Sequence, residues 1–298
     1  MSFARRLSVA LVLAIAVLGV TLGETQQFSQ VAKDHPLLRR LQGWWRGIPG
    51  GTGSLTLYDL VGGFPGTLTN MAVGSASGWS GSTRPGGVGQ LNFDGVDDIV
   101  NMGKPSGVTD QDQKTVCVWT NPIDYGGSSA GRIINKFDNT GWMLFYNGNG
   151  VQLNYDFSTT GGSWNVAGLF PLNTWTHICM SYDRTSTSNL PIFYVNGFNA
   201  GSVTVNTTPV GTASSDNNST LYIGSNESFS RAFHGAMDDV RIWNRLLPGK
   251  EIWEVYTLSR LGDPGMLVFP GLRAVLFQAV SPGNSQFLLF FKPPRARP

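Results

Sequence analysis

Side chains able to act as general acids or bases are scarce in this sequence of 298 residues. The glutamates are Glu24, Glu227, Glu251 and Glu254, and the histidines are His35, His177 and His234. Because carboxylates and imidazoles supply most enzymatic proton transfer, catalysis would depend on these few groups or on aspartates. The sequence is therefore poorly equipped for an enzyme, and an aspartate-based enzyme stands only as an alternative.

The first 23 residues have the pattern of a secretory signal peptide. Arg5 and Arg6 precede an apolar run from Leu7 to Val20, and small residues follow it. The alternative is an uncleaved membrane anchor, but the run is shorter than the ~20 residues of a spanning helix. We predict export to a secreted, cell-surface or periplasmic location, with no membrane span once the signal is removed.

The cysteines are Cys117 and Cys179, and both lie in short runs of β-forming residues. Export favours a disulfide between them, because disulfides persist in oxidising compartments. Such a bond would close a loop of about 62 residues, worth ~4 kcal/mol in the chain-entropy model. Two buried free thiols on neighbouring strands are the alternative.

Composition favours a β-rich globular protein with many turns. The chain has 38 glycines, 11% aromatic residues and 13% charged residues. A disordered chain would carry more charge and fewer aromatic rings, and a helical bundle or coiled coil would be rich in Ala, Glu, Lys and Leu. Disorder and helical architectures are therefore excluded.

The charge balance argues against a nucleic-acid partner. Residues 24–262 contain 15 basic and 18 acidic residues by count, since several arginines and lysines belong to the two ends of the chain. Binding to phosphates needs a basic stripe on the folded domain.

Short apolar or alternating runs recur from residue 91, separated by glycine, asparagine and serine, as in an all-β sandwich. The runs are Leu91–Val100, Thr115–Thr120, Arg132–Lys136, Trp142–Tyr146, Val151–Phe157, Trp175–Tyr182, Ile192–Val195, Thr220–Ile223 and Asp239–Trp243. One short helix is predicted within Leu247–Tyr256, because a proline near its first turn precedes apolar residues at helical spacing.

Several motifs, in this order, resemble the laminin-G-like jellyroll family of concanavalin A-like sandwiches, which includes the pentraxins. They are Tyr58-Asp59-Leu60 with Gly66-Thr67-Leu68, Leu91–Val100, Phe193-Tyr194-Val195-Asn196-Gly197 and Gly235–Leu247. The resemblance implies a two-sheet antiparallel jellyroll with one short C-terminal helix.

The resemblance also suggests boundaries along the chain. We expect a signal peptide at 1–23, an N-terminal linker at 24–43, a jellyroll domain at 44–258 and a Pro-rich apolar extension at 259–298. The extension is broken too often by Pro and Gly to span a membrane, and we expect it to be loosely ordered, with packing against the domain as the alternative.

The segment His177–Tyr182 is similar to the pentraxin motif His-x-Cys-x-Ser/Thr-Trp, with tyrosine in place of tryptophan. In pentraxins this cysteine pairs with one on a strand like 115–119, which implies the Cys117–Cys179 bond. The pentraxin Glu-Gln-Asp calcium cluster is missing, so phosphocholine binding is not expected. The glucanase pattern Glu-x-Asp-x-x-Glu is missing too, so laminarinase-type catalysis is excluded.

A structural calcium ion is the one cofactor that we consider. Many family members hold calcium with an aspartate at the start of the closing strand, which corresponds to Asp238. Asp94 and Asp97 are weaker candidates, since calcium binds carboxylates and loop carbonyls. The alternative for these two aspartates is capping of their own turn.

Aromatic rings beside polar side chains could form a sugar platform, because ring faces stack on pyranose rings and polar groups bind hydroxyls. The candidates are Trp142, Tyr146, Trp164, Gln152, Asn154 and Asp156. Rings that complete the sandwich core are the alternative for each aromatic residue.

The sequence therefore predicts a secreted, non-catalytic module that binds a glycan or another extracellular surface ligand. This function rests mainly on the family resemblance. A structural or adhesive surface protein that mediates protein contacts is the alternative. The identity of the ligand and the oligomeric state are left open.

Overall fold

A computed structural model describes residues 30–31, 35–47, 54–71, 77–263, 267–268, 274–277 and 288–291. The predicted signal peptide and much of the predicted C-terminal extension lie outside these residues. No helix of the described residues is both long enough and apolar enough to cross a membrane.

The described secondary structure is mostly β-strand. In chain order the strands are β1 (Gln30–Val31), β2 (Leu41–Trp45), β3 (Thr56–Leu57), β4 (Gly66–Thr69), β5 (Gly78–Gly81), β6 (Gly89–Asp94), β7 (Ile99–Asn101), β8 (Gln113–Pro122), β9 (Arg132–Phe137), β10 (Gly141–Asn147), β11 (Gly150–Tyr155), β12 (Gly162–Val166), β13 (Thr176–Asp183), β14 (Ile192–Val195), β15 (Phe198–Asn199), β16 (Thr204–Thr207), β17 (Tyr222–Ile223), β18 (His234–Trp243), β19 (Leu267–Val268), β20 (Ala274–Phe277) and β21 (Leu288–Phe291). One α-helix, α1 (Gly249–Arg260), follows β18, and short 3-10 turns occupy Pro36–Leu38, Ser106–Val108 and Gly127–Ser129.

Two antiparallel sheets form the sandwich. The nine-stranded sheet has the order β16-β12-β11-β10-β9-β17-β7-β4-β3. The eight-stranded sheet has the order β15-β14-β13-β8-β18-β6-β5, and β2 pairs with β18. Separate two-stranded pairings join β1 to β19 and β20 to β21. The all-β, two-sheet fold with one short helix is the one that the sequence predicted.

The core lies between the two sheets and is filled by the alternating pleat of the strands. Along β10, Trp142, Leu144 and Tyr146 are fully buried in it. Met143 and Phe145 lie between them in sequence and therefore face the other side of the sheet. Full burial of each large apolar side chain contributes about 1.5–3 kcal/mol, so the core fixes which residues face inward.

Helix α1 covers the outer face of the eight-stranded sheet. Its buried residues Ile252 and Val255 belong to a second apolar cluster with Cys117, Cys179 and Trp243. Pro248 is the N-cap residue, which agrees with the predicted start of the helix. The helix runs four residues beyond the predicted end at Tyr256, to Arg260.

The expected domain boundaries change at both ends. Leu37 is fully buried in the cluster beneath α1, and β2 begins at Leu41, so part of the expected linker at 24–43 belongs to the fold. Asp263, beyond the expected end at residue 258, is buried and accepts a hydrogen bond from Arg46 at 3.0 Å. Within the described residues, the folded body therefore extends at least from Pro36 to Asp263.

The predicted run Leu91–Val100 is two strands rather than one. Strand β6 ends at Asp94 in the eight-stranded sheet, and β7 begins at Ile99 in the nine-stranded sheet. Gly95 between them has φ 79°, a conformation that glycine adopts without steric cost. The turn therefore carries the chain from one sheet to the other.

The disulfide prediction is confirmed. Cys117 on β8 and Cys179 on β13 are direct cross-strand partners, and their sulfur atoms are bonded across a separation of 62 residues. The described residues include no free cysteine.

Loss of this disulfide should destabilise the fold. In the double variant Cys117→Ala/Cys179→Ala we expect the free energy of unfolding to fall by about 4 kcal/mol, since the unfolded chain regains its loop entropy. Urea unfolding measures the change, and the reduced wild-type protein is the control. Two free thiols in the purified, non-reduced protein, detected by mass spectrometry, would contradict the bond.

His177 has a structural position beside the disulfide. Its ring packs against Trp119 and Tyr256, with ring centroids 5.1 Å and 5.7 Å away, and Nδ1 lies 3.8 Å from the Cys179 Sγ. Burial lowers the pKa of His177 to about 3. The imidazole is therefore neutral at physiological pH and closed to a substrate.

This burial predicts a specific pH dependence of stability. The unfolded chain, with a histidine pKa near 6.5, binds a proton below that pH, whereas the folded protein excludes it down to about pH 3. The free energy of unfolding should therefore decrease by about 2 kcal/mol from pH 7 to pH 5. Urea unfolding at both pH values should give a smaller decrease for His177→Phe, and equal decreases would contradict the assignment.

Candidate functional site

The outer face of the nine-stranded sheet lies on the side of the sandwich opposite α1. Strands β10, β11, β12 and β16 present mainly amide and hydroxyl side chains there. We call this surface the amide face, and its residues are Phe145, Asn147, Gln152, Asn154, Ser163, Asn165 and Asn206. The strand register places them side by side, with Phe145 opposite Gln152 and Gln152 opposite Asn165.

Gln152 connects the amide face through hydrogen bonds. Its Nε2 donates to the Asn154 Oδ1 at 2.7 Å and to the Ser163 Oγ at 2.8 Å. Its Oε1 accepts from the Asn147 Nδ2 at 2.7 Å and from the Asn206 Nδ2 at 3.4 Å. Each amide carries both donors and acceptors, so the row is held in place while some of its polar capacity faces solvent.

The face also has one aromatic ring beside the amides. Phe145 is 7% exposed, although it lies outside the core cluster. The Arg132 guanidinium on β9 stacks over its ring, with Cζ 4.3 Å from the ring centroid. The arginine therefore covers most of the ring that the pleat turns outward.

The nine-stranded sheet contributes no carboxylate to this face. None of its strands contains aspartate or glutamate, and Asp156 follows β11 directly. Glycoside hydrolysis ordinarily needs two carboxyl groups on either side of the scissile bond. The strands of this face therefore supply hydrogen-bonding groups and no carboxyl pair.

The three aromatic rings proposed for the sugar platform lie in the core. Trp142, Tyr146 and Trp164 are each 0% exposed. The Trp142 Nε1 donates to the Asp216 Oδ2 at 3.1 Å, and the Tyr146 hydroxyl bonds the Thr120 hydroxyl at 2.8 Å. A sugar cannot stack on these rings in this structure. They complete the sandwich core, which was the alternative for each of them.

The three polar candidates lie on the opposite side of the same sheet. Gln152 and Asn154 are half-buried on the amide face, and Asp156 continues their line at the end of β11. Sequence reasoning missed Phe145 and Arg132. The alternation along β10 separated Phe145 from Tyr146, but it could not tell which of the two faced the core.

Asp238 lies in a buried cluster of charges on β18. Its Oδ1 accepts from the Gly47 backbone N–H at 2.7 Å, and its Oδ2 accepts from the Arg84 Nε. Arg84 and Arg241 also pair with the neighbouring Asp239. Burial alone would raise the pKa of Asp239, but these two guanidinium groups hold it below the usual range.

This cluster does not fit a calcium site. Calcium needs several oxygen ligands around one point, whereas the carboxylate oxygens of Asp238 face a guanidinium and a backbone N–H. A divalent cation would also be repelled by the buried arginines. Asp238 therefore matches the calcium-binding aspartate of the family in sequence only. In this structure, guanidinium groups supply the positive charge beside its carboxylate.

Asp94 and Asp97 lie in the turn between β6 and β7. The Asp94 Oδ1 accepts from the backbone N–H of Val96 at 2.8 Å and of Asp97 at 3.4 Å, which is the geometry of turn capping. Carboxylate oxygens of Asp94, Asp97 and Asp98 also lie within 4.8 Å of one another. Calcium at this turn stays a prediction.

Two substitutions of Asp94 separate capping from calcium binding. Asp94→Asn keeps the acceptor oxygen and removes the charge, so with chelator it should melt like the wild type. Asp94→Ala removes the cap and should lose about 1 kcal/mol. Thermal melts with chelator and with calcium check both. If calcium raises the melting midpoint of the wild type but not of Asp94→Asn, a calcium ion binds at this turn in addition to the capping hydrogen bonds.

A separate pocket of about 340 Å³ opens near the ends of β11 and β13. Arg184 lies in its wall and contacts Asp112, with Nε 3.3 Å from Oδ1. The same guanidinium donates to the Tyr155 hydroxyl at 3.1 Å and to the Ser214 carbonyl at 3.2 Å. The Arg184 guanidinium, which is the strongest polar group of the pocket, is therefore already bonded to the protein.

The family of the chain follows from its sequence as well as its fold. The model of the concanavalin A-like lectin/glucanases superfamily matches residues 94–253, just over half of the chain. The chain belongs to this superfamily. No curated protein matches the chain.

Solved structures share the fold at low sequence identity. The binding domain of Paraclostridial Mosquitocidal Protein 1 is similar with a TM-score of 0.56 and 12% identity, over 87% of this chain and 65% of that one. Domain 4 of AbnA, an extracellular GH43 arabinanase of Geobacillus stearothermophilus solved with arabinotriose, gives 0.52 and 18%, over 73% of this chain and 98% of the domain.

The receptor binding domain of botulinum neurotoxin C/D mosaic serotype gives a TM-score of 0.51 with 16% identity, over 74% of this chain. This chain spans 51% of that domain. At such identities the similarity establishes the fold alone.

Proposed function

We propose that this chain is an exported, non-catalytic module that binds carbohydrate on the amide face. The observation that carries the proposal is the row of hydrogen-bonded amides centred on Gln152, on a sheet whose strands contain no carboxylate. Sugar hydroxyls both donate and accept hydrogen bonds, and fixed amides can satisfy both.

The fold relatives support a binding role. Domain 4 of AbnA, which this chain covers almost completely, was solved in complex with arabinotriose, and the other two relatives are binding domains. Two of them come from toxins that this chain spans only in part, so their whole activities are not transferred. The arabinanase domain is the best guide, because its sugar complex concerns the whole of the matched unit.

The positions of the glutamates support a non-catalytic role. Glu251 and Glu254 lie on α1, on the opposite side of the sandwich from the amide face. Glu251 pairs with Arg245, and Glu254 lies 3.9 Å from the His35 Nε2. Asp156 alone, next to the amide face, would lack the second carboxylate of a glycosidase pair.

Export is part of the proposal and rests on two features. The disulfide between Cys117 and Cys179 is typical of oxidising compartments. The basic and apolar start of the chain has the pattern of a cleaved leader. A secreted or surface location suits a module that binds extracellular glycans.

Loss of amide-face side chains should weaken glycan binding. The purified protein would be applied to a panel of oligosaccharides that includes arabino-oligosaccharides, and the strongest binder titrated by calorimetry. Asn154→Ala removes a hydrogen-bonding group worth ~1 kcal/mol, and Gln152→Ala removes the side chain that holds the neighbouring amides in place. Each substitution should weaken binding about fivefold.

Gln113→Ala is the matched control. This exposed glutamine on β8 belongs to the other sheet, where its amide bonds the Asp183 Oδ2 at 2.9 Å. The control should bind like the wild type. No binding to any member of the panel, or equal binding by the control and the amide-face variants, would reject the proposal.

A protein-contact role is the second candidate, favoured by one exposed aromatic pair. Phe198 on β15 and Trp253 on α1 are 64% and 44% exposed, with ring centroids 4.8 Å apart. Sedimentation of the wild type and of Trp253→Ser would test this surface. Self-association that depends on Trp253, without glycan binding, would favour this role.

A further inference from the structure

Two arginines lie together at the end of the amide face near the β10–β11 hairpin. Arg132 is the first residue of β9 and stacks over Phe145. Its backbone N–H donates to the Arg231 carbonyl at 2.9 Å, so the two residues are neighbours through their main chains. Both side chains are partly exposed.

Neither arginine has a carboxylate partner among the described residues. The ion pairs there use other lysines and arginines, namely Arg46, Arg84, Lys136, Arg184, Arg241 and Arg245. The Arg132 Nη1 donates to the Ala130 carbonyl at 3.3 Å, and the Arg231 Nη1 donates to the Gly127 carbonyl at 3.4 Å. These are single bonds to neutral acceptors, so much of the donor capacity of both groups is unused.

The surroundings make this pair of charges unfavourable without an anion. Burial, together with the nearby charge of Arg231, lowers the pKa of Arg132 to about 10. The Arg132 Nε is buried and has no hydrogen-bond partner among the described residues. Arg132 remains charged at neutral pH, and an anion between the two guanidinium groups would relieve the repulsion between them.

Residues 24–262 have no excess of positive charge that would explain the pair. Residues 24–262 carry 15 basic and 18 acidic residues by count, and the strands of the nine-stranded sheet contain no acidic residue. The positive charge is therefore local to one end of the amide face. Carboxylates elsewhere in the fold neutralise other arginines but not these two.

We propose that Arg132 and Arg231 bind the carboxylate of an acidic sugar whose ring lies on the amide face beside Phe145. The guanidinium fork matches the two oxygens of a planar carboxylate, which gives direction as well as attraction. The stacking on Phe145 fixes the plane of the Arg132 fork. This inference rests on the proposed function, because it names the class of glycan that the same surface would select.

Matched ligands that differ only in charge test the inference. Calorimetric titration would compare trigalacturonate with its full methyl ester, and sialyllactose with the methyl ester of its carboxylate. At least one acid should bind roughly tenfold or more tightly than its neutral partner, as expected for a charge-assisted pair. Raising the salt concentration should weaken binding of the acid and leave the neutral ligand almost unchanged.

The variants Arg132→Gln and Arg231→Gln should reduce this preference for the acid at least fivefold, whereas affinity for the neutral partner should change little. Arg132→Lys keeps the charge without the planar fork and should recover only part of the preference. Arg260→Gln is the control for net charge, since this exposed arginine lies on α1. Circular dichroism and the melting temperature would verify that each variant is folded.

The outcomes separate this inference from the proposed function. Equal binding of acid and neutral partner, with both weakened by Gln152→Ala, overturns the acidic-sugar inference and leaves carbohydrate binding intact. Absence of binding to both acids overturns the inference, whereas the oligosaccharide panel decides the proposed function. Tighter binding of a sulfated galacto-oligosaccharide than of either acid would overturn the assignment to carboxylate.

Discussion

Strand pleating in the nine-stranded sheet is the constraint on which both the core and the candidate site depend. In a strand without a bulge, a residue that enters the core turns its two neighbours to the outer face, so one packing decision assigns every side chain along the strand. On β10 this decision buries Trp142 and Tyr146 and turns Phe145 outward. On β11 it turns Gln152 and Asn154 outward in the same way. The amide face is therefore the complement of the core, and the positions that form it cannot change without changing the register.

The outer faces of the two sheets are covered in different ways. The eight-stranded sheet is covered by α1 and by a cluster in which Arg84 and Arg241 neutralise buried aspartates on β18. Removing one partner of such a cluster would leave an uncompensated buried charge, which typically costs about 3–5 kcal/mol. The outer face of the eight-stranded sheet is therefore occupied by contacts that stabilise the fold. The nine-stranded sheet has neither the helix nor the acidic residues, and its polar groups bond one another across a surface that a ligand can share.

Membership of the concanavalin A-like lectin/glucanases superfamily establishes the scaffold, but the particular residues decide what the scaffold can do. Where the family correspondence led to calcium at Asp238, the structure places the Arg84 guanidinium against that carboxylate. The strands of the nine-stranded sheet contain no glutamate, and the amide face has amides and one stacked arginine. A glycan-binding surface with a positive end is consistent with both departures.

The sequence determined the elements whose signals are local. Asn196-Gly197 specified the β14–β15 hairpin because both residues adopt positive φ, Pro248 marked the start of α1, and the β-forming runs around Cys117 and Cys179 placed the disulfide on paired strands. It also specified that apolar and polar residues alternate on β11 and that β10 has apolar residues on both faces. Only the tertiary structure decided which of the alternating sets faced solvent, because apolar residues occupy both faces of β10 and only packing against the other sheet separates them. The same holds for Arg132 and Arg231, which lie far apart in sequence and become neighbours when the loop before β18 reaches β9.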